Sequence, residues 1–226
     1  MQIGGLIKLS LIDYPGKTAA VVFCQGCNFR CPYCHNKELV IPACFGAPIP
    51  EQEIISFLVK RKGLLEGVVV SGGEPTLQKD IVSFIRKIKS FGFSVKLDTN
   101  GSRPDVLEEV IAGKWVDFIA MDIKAPLERY QQIAGVEVEA VLIRKSIEMI
   151  KGSGIAHQFR TTVVKALVNH EDFPAIRDLV EGTQSYVLQS FVARDNILDP
   201  ALIKSPVYSE EEFCDLREKW SINQLG

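Results

Sequence analysis

The sequence predicts an α/β fold, an incomplete barrel of six parallel strands, and three observations carry that prediction. Short β-rich runs alternate with amphipathic stretches along most of the chain. The runs are nearly continuous in apolar character, as parallel strands covered on both faces are. The chain has 226 residues, fewer than the roughly 250 that eight strand–helix units need. A doubly wound open sheet is the alternative arrangement of the same units.

The strands expected are Thr18–Phe23, Gly67–Ser71, Ser94–Asp98, Phe118–Ile123, Phe159–Ala166 and Tyr186–Phe191, all rich in Val, Ile and Phe. Residues 28–50 read as an irregular loop. A helix is expected over Gln78–Phe91, because Ile81, Phe84, Ile85 and Ile88 recur at helical spacing. Another is expected over Pro104–Ala112, with Val106, Leu107, Val110 and Ile111 on its apolar face. Gly92 and Gly113 stop these two helices, and Pro104 suits a first helical position. Glu51–Lys62 and Asp172–Glu181 read the same way. Strands and helices in this order imply right-handed crossovers. Beyond Phe191 the pattern is less regular, with one helix expected over Glu210–Trp220. Length argues for a single domain over 1–226, with a core of about 3–191 and a C-terminal extension of 192–226.

Composition narrows the function class. Apolar residues make up 46% of the chain, enough for a sizeable core. Formal net charge is −2, from 26 basic and 28 acidic side chains. So even a balance gives no general attraction to nucleic acid or to anionic lipid, and neither is expected as a partner. No apolar run approaches the ~18 residues that span a bilayer. Met1–Ile12 is apolar but carries Lys8 and lacks a basic n-region and a cleavage site, so no export signal is read. A cytoplasmic protein is expected. Six Cys in such a chain point to metal binding or catalysis and away from a disulfide framework.

Cys27, Cys31 and Cys34 are spaced C-x3-C-x2-C, with Cys24 three residues earlier. Three thiolates in one short loop can converge on an iron–sulfur cluster. Three ligands for four irons leave one iron open, which is where a substrate or cofactor can bind. The alternative is structural zinc with Cys24 as fourth ligand. Against it, zinc ribbons separate their cysteine pairs by ~15–20 residues, far more than here. Cys24 also ends an expected strand, where a small buried apolar residue is common.

The stretch Phe23-Cys24-Gln25-Gly26-Cys27-Asn28-Phe29-Arg30-Cys31-Pro32-Tyr33-Cys34-His35-Asn36 resembles the cluster loop of radical S-adenosylmethionine (SAM) enzymes. More narrowly it is similar to the activating enzymes of glycyl-radical enzymes. The most similar group is the anaerobic ribonucleotide reductase activating proteins, with the pyruvate formate-lyase activating enzymes as relatives. The likeness takes in Ser10-Leu11-Ile12-Asp13-Tyr14-Pro15-Gly16, Ser71-Gly72-Gly73-Glu74-Pro75, Leu97-Asp98-Thr99-Asn100-Gly101 and Met121-Asp122-Ile123-Lys124. The three-Cys loop followed by Gly-Gly-Glu-Pro is the specific combination.

The resemblance implies a (β/α)6 TIM-like barrel of the radical SAM type. It also implies a 4Fe-4S cluster held by Cys27, Cys31 and Cys34, with SAM chelating the open iron and cleaved reductively there. Tyr33 is then expected near the adenine. Gly72, Gly73 and Glu74 are expected at the SAM ammonium, where glycines permit close backbone approach and a carboxylate can accept from –NH3+. Asp98, Thr99 and Asp122 match a monovalent-cation site, and Lys124 and Asn36 match SAM contacts. Thr162 and Arg160 match positions on the SAM or substrate side, and Asp13 one that meets an incoming peptide. His35 reads equally as a local hydrogen-bonding residue. Most of these residues fall in a loop or at the C-terminal end of an expected strand, the face where parallel barrels keep their chemistry. The run Leu188-Gln189-Ser190-Phe191 lacks the His that relatives carry there. With only Cys44 and Cys214 remaining, a second cluster is not expected.

The function implied is an oxygen-sensitive activase. It would abstract hydrogen from a backbone glycine of a glycyl-radical enzyme, taking its electron from a flavodoxin or ferredoxin. The alternative keeps the chemistry and changes the substrate to a small molecule such as a deazapurine precursor.

Overall fold

The computed structural model describes residues 1–223, which gather into two compact units. The first comprises Met1–Asn28, Glu38–Thr99 and Arg103–Ile119. Its strands are β1 (Ile3–Ser10), β2 (Ala19–Cys24), β3 (Gly67–Gly72) and β4 (Ser94–Thr99). β1 runs antiparallel to β2, with register shifts between Ile3 and Gly5 and between Ile7 and Ser10. β2 and β3 are parallel, as are β3 and β4, with Val21 opposite Val69 and Val69 opposite Lys96. Val21, Val22, Val68, Val69 and Val70 are buried, the burial on both faces that their continuous apolar run implied.

A short helix α1 (Lys37–Val40) precedes α2 (Glu51–Lys60), α3 (Ile81–Ser90) and α4 (Pro104–Ala112). α3 buries Ile81, Phe84, Ile85 and Ile88, the stripe expected of it. α4 begins with its Pro at the first helical position. Gly92 takes φ +92° just past α3, while Gly113 ends α4 with an ordinary right-handed backbone.

β5 (Phe118–Asp122) starts in the first unit and ends in the second. The second unit comprises Phe29–Lys37, Asn100–Ser102 and the chain from Ala120 onward. It holds α5 (Tyr130–Ala134), α6 (Ala140–Gly152), β6 (Ala156–Val163), α7 (Asp172–Leu179), β7 (Ser185–Ser190), α8 (Glu210–Trp220) and the two-residue β8 (Ile222–Asn223). β6 and β7 are parallel, with Phe159 opposite Tyr186. β8 lies antiparallel to β7. α8 opens with a capping box, Ser209 and Glu212 each accepting from the other's backbone N–H.

Strand order follows chain order from β1 to β8. A doubly wound sheet reverses its order at a switch point; this one does not. The sheet is mostly parallel and ends at β1 and β8, the open, incomplete α/β barrel expected. Five elements were not foreseen: the antiparallel β1, the helix α6, the short helices α1 and α5, and the two-residue β8; α1 falls inside the stretch 28–50 that read as irregular loop. β6 also begins and ends three residues earlier than expected. Among the described residues no helix is long and apolar enough to cross a membrane.

Candidate active site

In the first unit the strand ends meet in a tight backbone weave. β2 delivers Cys24, buried at the strand's end, and the chain turns through Gln25 and Gly26 to the half-buried Cys27. Gly26 N–H donates to the Leu39 carbonyl at 2.7 Å. Gly73 N–H donates to the Cys24 carbonyl and Glu74 N–H to the Gly26 carbonyl, each at 2.8 Å. β3 therefore ends flush against the start of the cysteine loop. A Cβ on Gly73 would lie 2.1 Å from the Gly26 oxygen, and one on Gly72 would lie 2.2 Å from the Cys24 nitrogen. Gly72 also takes φ +123°, which side-chain-bearing residues rarely adopt. The close approach that the glycines were expected to permit is, in this unit, approach by the loop's own backbone.

Glu74 is 1% exposed and faces inward. Its Oε1 accepts from Thr76 N–H at 3.0 Å, from the Thr76 hydroxyl, and from the Thr99 hydroxyl at 2.8 Å. It caps the turn after β3 and ties it to the end of β4. Asp98, two residues beyond Lys96 on β4, pairs with the Lys96 ammonium at 3.3 Å. Asp13 Oδ2 accepts from the Ser10 hydroxyl at 2.5 Å. Burial, reinforced by the negative charge of Glu74, pushes the Cys24 thiol up to about 12. Cys24 is a buried thiol closing β2, the packing position expected of it.

The second unit carries the rest of the cysteine loop. Arg30 N–H donates to the Ala134 carbonyl at 2.7 Å, and the Phe29 ring meets Tyr130 edge-on at 6.3 Å. Gly135, left-handed at φ +69°, closes α5 where a Cβ would lie 2.4 Å from the Arg30 oxygen. Cys31 is buried and Cys34 half-buried, joined by a turn in which Cys34 N–H donates to the Cys31 carbonyl at 3.0 Å. Residues 192–199 hold this loop from the other side. Leu198 and Asp199 N–H groups donate to the Cys34 and Pro32 carbonyls at 3.0 and 2.8 Å. His35 Nε2–H donates to the Val192 carbonyl at 2.7 Å, and Asn196 donates to the His35 carbonyl at 2.7 Å. His35 thus makes local hydrogen bonds to this segment.

Beside the loop stands a half-buried charged cluster. Asp122, at the end of β5, pairs with Lys124 Nζ at 3.0 Å and Arg160 Nε at 2.9 Å. Burial alone would raise the Asp122 carboxyl, but Arg160 and Lys124 hold it well below the usual range. Burial works against the Lys124 ammonium, and Asp122 outweighs it, raising Lys124. Tyr130 hydroxyl donates to the Asp122 carbonyl at 3.2 Å. Lys124 Nζ lies 5.9 Å from the Tyr33 ring centroid. Burial pushes the Cys31 thiol up, with Lys124 pulling the other way. The Tyr33 hydroxyl is buried and has no hydrogen-bond partner among the described residues, an orphan that a polar ligand would satisfy. Thr162 and Asn36 are half-buried. Sequence reasoning missed Gly135 and the 192–199 segment.

Soft thiol donors suit an iron–sulfur cluster. An orphaned hydroxyl beside an ammonium suits a zwitterionic ligand with a carboxylate. The side chains present therefore fit the cofactors that the resemblance implies. Among the described residues no three His, Cys, Asp or Glu side chains are grouped as a ready-made metal site.

Comparison with known proteins bears on the same loop and strand ends. The chain is 36% identical over 221 residues to a protein of Methanocaldococcus jannaschii named "putative glycyl-radical enzyme activating enzyme", covering 95% of this chain and 89% of that one. It is 33% identical over 128 residues to the pyruvate formate-lyase-activating enzyme of Clostridium pasteurianum, covering 54% of this chain and 52% of that one. Its fold matches the crystal structure of Streptococcus suis SuiB bound to S-adenosylmethionine with a TM-score of 0.65 at 15% identity, over 88% of this chain and 44% of that one. The family model described as "Radical SAM superfamily" matches residues 21–180, from inside β2 to the turn after α7. Cysteine loop, glycine-lined strand end and parallel strand order agree with that match: the chain belongs to the radical SAM superfamily.

Proposed function

We propose that this chain is an activating enzyme that installs a glycyl radical on a partner enzyme, with residues 1–226 acting as one radical SAM domain. The observation that carries the reading is the 36% identity, over 95% of the chain, to a relative named for that activity. Membership of the superfamily implies a 4Fe-4S cluster and S-adenosylmethionine as cofactors. Cys27, Cys31 and Cys34 are the proposed cluster ligands, for their thiol chemistry and spacing. When bound, the cluster supplies the electron that cleaves the sulfonium; the rest falls to the protein. Lys124 is charged and half-buried, suited to a SAM carboxylate. Tyr33 offers an apolar face and an unmatched hydroxyl. Gly72 and Gly73, by bringing the loop's backbone against β3, govern where Cys27 sits. Arg160 and Thr162 are proposed on the substrate side, and Asp13 at the entry of the partner's glycine loop. That loop must be mobile, because a glycine in a folded core could not reach a barrel interior. A flavodoxin or ferredoxin is the proposed reductant, and the cytoplasm the proposed compartment.

The test mixes the reduced, anaerobically prepared enzyme with SAM and a candidate glycyl-radical enzyme. A glycyl-radical doublet in the partner's EPR spectrum is expected. Formation of deoxyadenosine with no protein radical, across candidate partners, would favour a small-molecule substrate instead.

A further inference from the structure

Each of the two carboxylates that the resemblance places at an alkali cation pairs with a cation of the chain itself. Lys96 and Asp98 are two residues apart on β4 and so share a face. Lys96 is 4% exposed. Its ammonium pairs with Asp98 Oδ1 at 3.3 Å, donates to the Asp13 carbonyl, and lies 5.7 Å from the Phe118 ring centroid. Carboxylate, carbonyl and aromatic face are what a bare monovalent ion would recruit. Here a strand-borne side chain brings an ammonium to the same three groups.

The neighbours are arranged to match. The Ser71 hydroxyl donates to Asp98 Oδ2 at 3.4 Å, and the Thr99 hydroxyl is turned onto Glu74. The Asp13 carbonyl belongs to a turn stitched by Ser10, whose hydroxyl oxygen accepts from the Ile12 and Asp13 N–H groups at 3.2 Å. Lys96 therefore fastens that turn to β4 as well as balancing Asp98. In the second unit, Asp122 has its own partners in Lys124 and Arg160. A sodium or potassium ion beside Asp98 would meet an ammonium already paired with the same carboxylate. Like charges repel strongly where burial lowers the dielectric.

We propose that Lys96 takes the place of the alkali cation: a positioning residue that balances Asp98, anchors the Asp13 turn and leaves the enzyme independent of sodium and potassium. The proposal rests on the chain binding SAM, and the test separates the two. The dissociation constant of SAM is measured by equilibrium dialysis of the cluster-loaded protein in sodium, potassium and choline chloride of equal ionic strength. Thermal unfolding of the cluster-free full chain is followed in the same salts. For the unaltered protein the SAM affinity should change by less than about twofold between salts, with no shift in melting temperature. Lys96→Met should lose about tenfold in choline and recover several-fold in sodium or potassium, while Lys96→Arg should stay salt-independent. A roughly tenfold loss of affinity by the unaltered protein in choline would overturn the proposal, and needs no variant to fold. Wild-type affinity of Lys96→Met in choline would overturn it too. Failure to bind SAM in every salt would overturn the cofactor reading and this one with it.

Discussion

Gly73 has no room for a methyl group. The added carbon would stand 2.1 Å from the Gly26 carbonyl oxygen and 2.7 Å from its carbon, and backbone cannot swing aside as a flexible side chain can. Gly73→Ala must push Gly26, and with it the neighbouring Cys27. The expected cost is roughly 1–3 kcal/mol of stability, as for other overpacked sites. Iron bound per chain should fall sharply beside an exposed-site control, Cys44→Ala. Iron analysis with a thermal melt checks both halves. Cys24 gives a second expectation. Its thiol moves from the ordinary 9.0 to about 12 on folding. The unfolded thiol ionises first, so folding stability declines as pH rises from 9.0 toward 12 and is unaffected below 9.0. At mildly alkaline pH, iodoacetamide should modify the exposed Cys44 and Cys214 and spare Cys24 in the metal-free protein. Peptide mass mapping reads this directly. Residue types were legible in sequence; orientation was not always. The motif marked Glu74, but its inward turn onto Thr76 and Thr99 depends on a partner 25 residues away.

At the scale of elements, legibility followed the strength of the local signal. α3 was readable because its four buried residues repeat at helical spacing, and α4 because a Pro opens it. The parallel strands were readable because burial on both faces demands unbroken apolar runs. β1 gave no such signal. It starts Ile-Gly-Gly, and glycines in a strand weaken the pattern while marking close approach. A Cβ on Gly4 would meet Leu39 at 2.5 Å and Gln25 at 2.6 Å, so packing required the residue that blurred the strand. α6 buries Ile143, Ser146, Ile147 and Ile150 at proper spacing, but the polar Ser146 interrupts its apolar stripe and weakens the periodic signal. β6 alternates buried and half-buried residues, so its ends were hard to place from apolar content alone.

At the scale of the molecule, the sequence is not divided where the units are. The second unit recruits Phe29–Lys37 and Asn100–Ser102 from far upstream. Those segments supply the Arg30 bond to Ala134, the Phe29 edge on Tyr130, and the Gly101 carbonyl that accepts from the buried Ser146 hydroxyl at 2.7 Å. A fragment of residues 118–226 lacks all three, and leaving buried polar groups unmatched is costly. Such a fragment should show no cooperative unfolding transition by circular dichroism; a sharp sigmoidal melt would contradict this. The same reasoning reaches the stretch from Val192 to Asp199, which follows the last parallel strand and carries no motif. Four of its polar groups grip the carbonyls and imidazole of residues 32–35. Anyone trimming this protein to a minimal catalyst, or grafting its loop onto another scaffold, has to carry that stretch along: no useful version can stop short of Asp199.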